Sequence, residues 1–443
     1  MTQGNQIYHR APAYVDGEPF KNDQFERKLL AERLTKYVDR LNSGCVMAID
    51  APWGEGKSYF GRNWAAQLEV SGYKTIFLDA FEQDYADDPF LLISAEILSV
   101  VKESEGDESW VNFRDACVKT GTVLLPAAAK MAANAFGKMV LGINDLAEKK
   151  DKLGDLLEQK LGDATEKYIQ KRLQDYDQEK QTALHFRESL AEFAAKHEKP
   201  VVFFIDELDR CKPTFAVAVI ERIKHFFDTQ NLVFVLLLNR PQLEEAIKGV
   251  YGANIDANIY LGKFIHLFLT LPKFTSLSQG GQCHNLIYCN ELVKRYKFPN
   301  TDGVHDFTQS LAMLASLFDL SLRDLERAFV FYALAQPLNV LSGLAAYIIC
   351  LKLKYPIIYQ QIAKDNKSGH NSALEIAAMM KERIPDFWLS SEIRLLHQSA
   401  VGGLESLSEE DRNELLQTYR GSGLNWRNVF KRLIKRIDTL IID

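Results

Sequence analysis

The chain has 443 residues, of which 47% are hydrophobic and 25% charged, and its 53 basic and 59 acidic side chains give a formal net charge of −6 at pH 7. This is the composition of a folded chain with about two or three domains, and it excludes a mainly disordered chain, a collagen-like chain and a coiled-coil rod. A protein whose whole surface binds nucleic acid is usually basic, so the acidic balance leaves only a local basic groove for such a partner.

The first element with recognisable chemistry is a short strand followed by a loop that contains glycine. Val46–Asp50 is an apolar run that ends in an aspartate, which is typical of a buried parallel strand. Ala51–Ser58, with the sequence APWGEGKS, follows it, and the spacing of Tyr59–Leu68 predicts a helix. This order is the layout of a phosphate-binding loop, although that pattern normally begins with glycine and here begins with Ala51. A chance Gly-Lys-Ser in a loop is the alternative interpretation.

The residue types of this loop suit the binding of phosphate groups. Gly54 and Gly56 allow backbone N–H groups to come close to phosphate oxygens, and the N-terminus of a helix attracts anions. Lys57 is long enough to reach the terminal phosphates, and the hydroxyl of Ser58 is a ligand for Mg²⁺. We therefore predict that a nucleotide binds along Trp53, Gly54, Glu55, Gly56, Lys57, Ser58 and Tyr59.

One stretch, Gly121–Ile143, has the length of a membrane-spanning helix. Lys130 and Lys138 interrupt it, and a lysine at the centre of a bilayer costs roughly 2.5–3.5 kcal/mol. We therefore expect a buried or amphipathic helix here and no integral membrane insertion. The N-terminal residues lack the apolar segment of a signal peptide and the six cysteines include no CxxC pair, so we expect reduced thiols in a cytoplasmic protein.

The segment Asp145–Lys199 is rich in alternating acidic and basic residues. Leucines and aromatic residues recur in it at three- and four-residue steps, which predicts long helices. Two interpretations remain open: a solvated helical pair that packs on the core, or an arm that contacts a partner or another subunit.

A second strand carries acidic residues at its end. Val201–Arg210, with the sequence VVFFIDELDR, predicts a central strand that runs into this acidic group. Asp206 is placed to hold Mg²⁺, and Glu207 to polarise an attacking water molecule in a general-base role. Arg210 has two interpretations: it acts on the nucleotide of a neighbouring subunit, or it pairs with Asp209. Without the upstream loop, these residues would be interpreted as a strand followed by a capped helix.

Further strands complete a sheet. Thr75–Asp79, Leu232–Asn239 and His266–Leu271 are predicted strands, separated by helical segments. This order predicts an α/β fold, a doubly wound parallel sheet with helices on both faces and a long helical insertion. Asn239 lies at the polar end of one of these strands, and its amide is placed to sense the γ-phosphate. Since ligands of such sheets lie beyond the carboxyl ends of the strands, three predicted functional residues share that position: Lys57, Asp206 and Asn239.

The C-terminal part of the chain is predicted to be helical, after a loop at Ser276–Gln282. The predicted helices include Ser310–Leu317, Ser321–Ala335 and Ser342–Lys354. Arg323 is placed to close over the γ-phosphate as part of a helical lid; the alternative is surface pairing with Asp324 and Glu326. Leu424–Arg436 has a basic face and an apolar face. It either packs its apolar face and leaves its lysines in solvent, or contacts nucleic acid, a membrane surface or a protein.

The motifs at Ala51–Ser58 and Asp206–Cys211 resemble those of the KAP family of P-loop NTPases. The second motif of that family usually reads Asp-Asp-Leu-Asp-Arg-Cys, so Glu207 departs from the pattern. Three further stretches resemble family segments: Tyr260–Ile265, Ser321–Arg327 and Leu351–Ile357. The resemblance covers roughly residues 20–365 and implies ATP and Mg²⁺ as ligands, with hydrolysis to ADP and phosphate. Family members often carry membrane helices between the two motifs, which we do not expect here, and have been linked to phage exclusion.

These observations give a definite expectation for organisation and function. The expected segments are 1–80 for an N-terminal helix and the first half of the P-loop domain, 81–199 for a helical insertion, 200–275 for the second half of the P-loop domain, 276–365 for a helical lid and 366–443 for a C-terminal helical region.

The expected function is a KAP-type ATPase that hydrolyses Mg-ATP as a molecular switch, controlling homo-oligomer assembly or a protein effector, in the setting of bacterial anti-phage defence. The alternatives are a DNA-dependent ATPase that regulates a nuclease or another nucleic-acid effector, and a non-catalytic nucleotide-binding scaffold. The candidate catalytic residues are Lys57, Asp206, Glu207, Arg210, Asn239 and Arg323, and the candidate Mg²⁺ ligands are Ser58 and Asp206.

Overall fold

The chain folds as two compact units in a computed structural model. Of the described residues, those within Ala13–Ala51 and Lys57–Leu271 form one unit, which we call the sheet unit, and those within Pro52–Gly56 and Pro272–Asp443 form the other, the helical unit. The structure describes residues 18–21, 23–85, 89–101, 115–117, 187–192, 194–224, 229–272, 284–336, 339–420 and 424–439.

The sheet unit is built on five parallel strands in the order β2-β3-β4-β1-β5. The strands are β1 Cys45–Asp50, β2 Lys74–Asp79, β3 Val201–Asp206, β4 Leu232–Leu238 and β5 Leu267–Thr270. Each lies within one residue of the strand expected from the sequence at both ends. The prediction of a parallel α/β sheet is therefore confirmed.

Helices cover both faces of this sheet, which is why its inner strands are apolar up to their last residue. In β4, Phe234 and Leu236 pack on one face, whereas Val233 and Val235 pack on the other. The helices of the unit are α1 Arg27–Val38, α2 Lys57–Val70, α3 Pro89–Val101, α4 Pro213–Ile223, α5 Arg240–Tyr251 and α6 Ala257–Leu261. Helices α1 and α2 pack on one face, and α3, α4 and α5 on the other.

The parallel register brings the carboxyl ends of the strands to one edge of the sheet. Asp79 of β2 lies opposite Asp206 of β3, and Asp206 lies opposite Leu237 of β4. Asp50 of β1 lies opposite Leu238, the last residue of β4. Three aspartates from different parts of the sequence therefore end at the same edge.

The helical unit contains α7 His284–Arg295, α8 Asp302–Leu317, α9 Leu322–Ala335, α10 Ser342–Lys354, α11 Pro356–Ala363, α12 Lys367–Arg383, α13 Ser390–Gly402, α14 Glu409–Thr418 and α15 Val429–Thr439. Helix α10 has the predicted bounds and is buried on all sides from Ser342 to Leu351, as expected of a helix at the centre of a bundle. Helix α8 begins eight residues before the predicted start because Thr301 caps it: the Thr301 side chain accepts the N–H of Val304.

Several expectations fall wholly or partly on residues that the structure does not describe, and the predicted loop at Ser276–Gln282 is one of them. Gly121–Ile143 lies wholly outside the described residues, and of Asp145–Lys199 only the end is described, with 187–192 and 194–195 helical. Across the described part of the chain, none of the helices combines the length and the hydropathy needed to cross a bilayer.

Trp64 of α2 provides a test of the packing between α2 and the sheet. Its side chain is fully buried, lies edge-on to Phe204 with ring centroids 5.3 Å apart, and donates its indole N–H to Thr35 Oγ1 at 3.0 Å. Because Trp64→Ala leaves a large cavity, we expect it to lower the free energy of unfolding by about 3–5 kcal/mol, measured by urea denaturation. Val70→Ala, at an 81% exposed site on the same helix, is the control and should change stability little.

Candidate functional site

The loop between β1 and α2 contains two glycines in the left-handed region of the backbone. Gly54 has φ 88° and Gly56 has φ 81°, which residues with a side chain rarely adopt. Lys57, the first residue of α2, is 8% exposed, and its Nζ donates to the carbonyl oxygen of Ala51 at 2.6 Å. The lysine side chain therefore turns back towards the residue that follows β1.

Burial lowers the pKa of Lys57, and the negative charges of Asp209 and Asp206 oppose that shift. An ammonium group in this position has lost much of its hydration, so it interacts strongly with any anion that reaches it. Phosphate groups carry the negative charge that such a site favours. The electrostatics of Lys57 are therefore those of an anion-binding residue.

The two candidate Mg²⁺ ligands lie in direct contact. The Asp206 carboxylate is 1% exposed, accepts the backbone N–H of Glu207 at 2.9 Å and is hydrogen-bonded by the hydroxyl of Ser58. Burial raises the pKa of Asp206 to about 6. Carboxylate and hydroxyl oxygens are ligands that a magnesium ion prefers, so the residues fit this ion.

Mg²⁺ is usually held by one or two carboxylates together with phosphate and water oxygens, not by a cage of protein ligands. Within the described ranges, no group of three or more His, Cys, Asp and Glu side chains is arranged to hold a metal ion. Ser58 and Asp206 would thus supply the protein's share of the ligands, and a bound nucleotide would supply phosphate oxygens.

Glu207 follows β3 in an unusual conformation. Its φ of 59° lies in the left-handed region, and its side chain is 5% exposed. Arg210 closes the short turn that follows, because its backbone N–H donates to the Glu207 carbonyl at 3.0 Å. The Arg210 guanidinium pairs with the Glu207 carboxylate at 2.8 Å, a partner that we did not consider from the sequence. A spacing of three residues within this turn brings the two side chains together.

Asn239 lies at the same edge of the sheet, directly after β4. Two hydrogen bonds hold the backbone on either side of it: Ala51 N–H donates to the Leu238 carbonyl at 3.2 Å, and Arg240 N–H donates to Asp50 Oδ1 at 2.8 Å. The end of β1 thus fixes the residue that was predicted to sense a γ-phosphate. Its contact with phosphate stays a prediction.

In the helical unit, the N-terminus of α9 lies against the loop residue Gly54. The backbone N–H of Arg323 donates to the Gly54 carbonyl at 3.3 Å, and the Arg323 side chain is exposed. The two acids considered as its surface partners pair with other cations, Asp324 with Lys354 at 2.8 Å and Glu326 with Arg295 at 3.3 Å. Both acids therefore have partners other than Arg323.

The remaining predicted ligand residues lie in different surroundings. Glu55 is buried and Trp53 is 42% exposed. Tyr59 packs its ring edge-on to Phe20 with centroids 6.4 Å apart, so part of its surface belongs to the core beneath α2. Contact of these side chains with a nucleotide stays a prediction.

Sequence reasoning missed the roles of Asp50 and Asp209. Asp50 was visible as the last residue of a strand, but its partner Arg240 lies 190 residues away. Among the charges that act on the pKa of Lys57, Asp209 has the largest effect, which only the folded turn after β3 makes apparent.

The model of the family described as "KAP family P-loop domain" matches residues 27–440. None of the curated proteins compared with the chain matches it. Among solved structures, the ORC2 protein of Aeropyrum pernix in its ADPNP–ADP complexes is 9% identical over 98% of both chains, with a TM-score of 0.35. Cdc6p from Pyrobaculum aerophilum is 11% identical over 96% of both chains, with a TM-score of 0.40.

The raised pKa of Asp206 predicts a pH-dependent effect of Asp206→Asn. Between 3.8, the value for a free aspartate, and about 6, the folded protein holds more proton than the unfolded chain, so the free energy of unfolding falls as the pH rises through this window. Removing the charge should stabilise the ligand-free protein at pH 7.5 by up to about 3 kcal/mol, since one pKa unit corresponds to about 1.4 kcal/mol. The gain should shrink as the pH is lowered towards 4.

Thermal unfolding at pH 4.5 and pH 7.5 measures this difference. Asp386→Asn, at an exposed site, is the control and should behave like the wild type at both pH values. A gain of equal size at both pH values would contradict the assignment of the effect to the Asp206 charge.

Gly54 and Gly72 form a matched pair for testing the loop. Both have left-handed φ angles, 88° and 84°, so alanine is strained at either site. A Cβ on Gly54 would also lie 2.6 Å from Ser321 Oγ and 2.8 Å from Arg323 Cβ, whereas one on Gly72 meets no atom of the described chain within 4 Å. We expect Gly72→Ala to lose only about 1–3 kcal/mol of stability from strain. Gly54→Ala should in addition weaken ATP binding, measured with a fluorescent ATP analogue; equal affinities in the two variants would contradict this.

Proposed function

The chain belongs to the KAP family of P-loop domains, and we propose that it binds Mg-ATP and hydrolyses it to ADP and phosphate as a molecular switch. The observation that carries the proposal is the contact between the two halves of the site. Ser58, which follows the loop lysine, is hydrogen-bonded to Asp206, and the acidic Glu207 comes directly after it. A site that only binds nucleotide has no need of that second carboxylate.

The loop and α2 bind the phosphates. The backbone N–H groups around Gly54 and Gly56 and the N-terminus of α2 attract the anion, and Lys57 exchanges the Ala51 carbonyl for phosphate oxygens. Ser58 and Asp206 hold Mg²⁺, which when bound neutralises negative charge on the phosphates.

Glu207 acts on the attacking water. Its carboxylate accepts a proton from the water as the oxygen attacks the γ-phosphate, and Asn239 orients the phosphate from the neighbouring strand. Asp50 supports Asn239 through the N–H of Arg240. Each of these groups comes from the carboxyl end of a strand, where parallel α/β sheets bind their ligands.

Helix α9 gives the helical unit a means of responding to the nucleotide. Because Arg323 N–H bonds to the carbonyl of Gly54, a change in this loop on binding or hydrolysis alters the support of α9. Arg323 then acts on the γ-phosphate as part of the lid. The expected readout is altered assembly with further copies of the chain or with a protein effector.

A second candidate, a DNA-dependent ATPase, has one observation in its favour. Arg427, Lys431 and Lys435 are exposed at four-residue steps on and before α15, so they form a basic stripe. Such a stripe can contact a phosphate backbone. Hydrolysis that requires added DNA would favour this candidate, and steady turnover without DNA would favour the switch.

Glu207→Gln tests the proposed chemistry directly. Since the amide cannot take the proton, we expect turnover to fall by about 10²-fold or more, with ATP still bound. Steady-state phosphate release and equilibrium binding of a fluorescent ATP analogue measure the two quantities. Glu245→Gln, at an exposed site paired with Lys248, is the control. Wild-type turnover in Glu207→Gln would refute the role of Glu207.

A further inference from the structure

The ion pair between Arg210 and Glu207 bears on how the proposed base is held. Arg210 Nη1 lies 2.8 Å from Glu207 Oε1, and the two side chains are 26% and 5% exposed. The pair thus joins an inner carboxylate to a cation nearer the surface. Removing one partner of such a pair leaves a buried charge uncompensated, which is strongly unfavourable.

The backbone of the same turn restrains Glu207 as well. Its carbonyl oxygen accepts the N–H of Arg210 at 3.0 Å and faces the thiol of Cys211 at 3.6 Å. A left-handed conformation is uncommon for glutamate and persists only where the surroundings hold it. The backbone therefore sets the direction of the side chain, and Arg210 fixes its end.

The positive charge of Arg210 also acts on Lys57, the residue proposed to bind phosphate. The charges of four residues act on the pKa of Lys57, namely those of Asp209, Asp206, Arg210 and Asp50. Arg210 therefore lies within electrostatic range of both the proposed base and the loop of its own chain. A guanidinium directed at another subunit would have to give up this arrangement.

We propose that Arg210 is a positioning residue that holds the Glu207 carboxylate of the same chain in the orientation needed to activate water. This inference rests on the proposed function. It replaces the alternative in which Arg210 reaches the nucleotide of a neighbouring subunit. An anchored carboxylate faces the water in one orientation, and misplacement of a reacting group by about 1 Å can cost about 100-fold in rate.

The first test compares kcat and the affinity for ATP in Arg210→Ala, Arg210→Gln and Arg210→Lys. We expect Arg210→Ala to lower kcat by about 10- to 100-fold through loss of positioning. The Kd for the ATP analogue should stay within about threefold of the wild type, because the lost interaction acts on the base and not on substrate binding. Arg210→Lys keeps the positive charge and should recover part of kcat, and Arg210→Gln serves if the alanine variant does not fold.

The second test separates action within a chain from action between chains. Arg210→Ala is mixed with Lys57→Met, which has an intact arginine but a damaged phosphate loop. If Arg210 acts within its own chain, the mixture should show no more activity than the two variants separately. Recovery of activity on mixing would overturn the proposal, because it would require an arginine from one chain to complete the site of another.

Arg394→Ala is the matched control for these measurements. It breaks an arginine–carboxylate pair of the same length, 2.8 Å to Asp411, within the helical unit. It should leave kcat and ATP affinity unchanged. Parallel losses of kcat and ATP affinity in Arg210→Ala would identify a phosphate ligand and overturn the positioning role, as would an unchanged kcat.

The proposed function and this inference fail in different ways. If the wild-type protein does not hydrolyse ATP, or if Glu207→Gln is as active as the wild type, the proposed function fails and the role of Arg210 fails with it. If the wild type is active and Glu207→Gln is not, a normal Arg210→Ala overturns the positioning role alone.

Discussion

The burial of charged side chains at one edge of the sheet is the constraint on which the site depends. The parallel register places Asp206 opposite Asp79 and at the same edge of the sheet as Asp50, and the α2 N-terminus brings Lys57 within electrostatic range of Asp206 and Asp50. Asp206 and Lys57 have both lost hydration through burial, which raises the pKa of Asp206 and lowers that of Lys57. In the proposed function, a phosphate group with a divalent cation compensates both, so the ligand relieves an electrostatic cost that folding imposes.

Short hydrogen-bonded connections hold the backbone of the neighbouring elements in place. Asp50 and Ala51 hold the backbone around Asn239, so β1 sets the position of the end of β4. In the helical unit, Gly54 leaves room for the N-terminus of α9, where any Cβ would collide with Ser321 and Arg323.

The turn after β3 shows how sequence neighbours acquire a joint role. Glu207 adopts a left-handed conformation, and this turns its side chain towards Arg210 three residues later. A regular helix would also bring residues three apart to the same face, but it would not hold the Glu207 carbonyl with both the N–H of Arg210 and the thiol of Cys211. The geometry of the proposed base is thus a property of the whole turn.

The sequence by itself determined the strands, their parallel arrangement and the residues of the phosphate loop, because apolar runs and glycines with Lys-Ser are local signals. It also placed Asp206 and Asn239 at strand ends. It left open the partner of Arg210, the support of Asn239 by Asp50 and the contact of Arg323 with Gly54. Only the tertiary structure decided these, since each depends on the conformation of a turn or on groups brought together from distant parts of the chain, which periodicity does not encode.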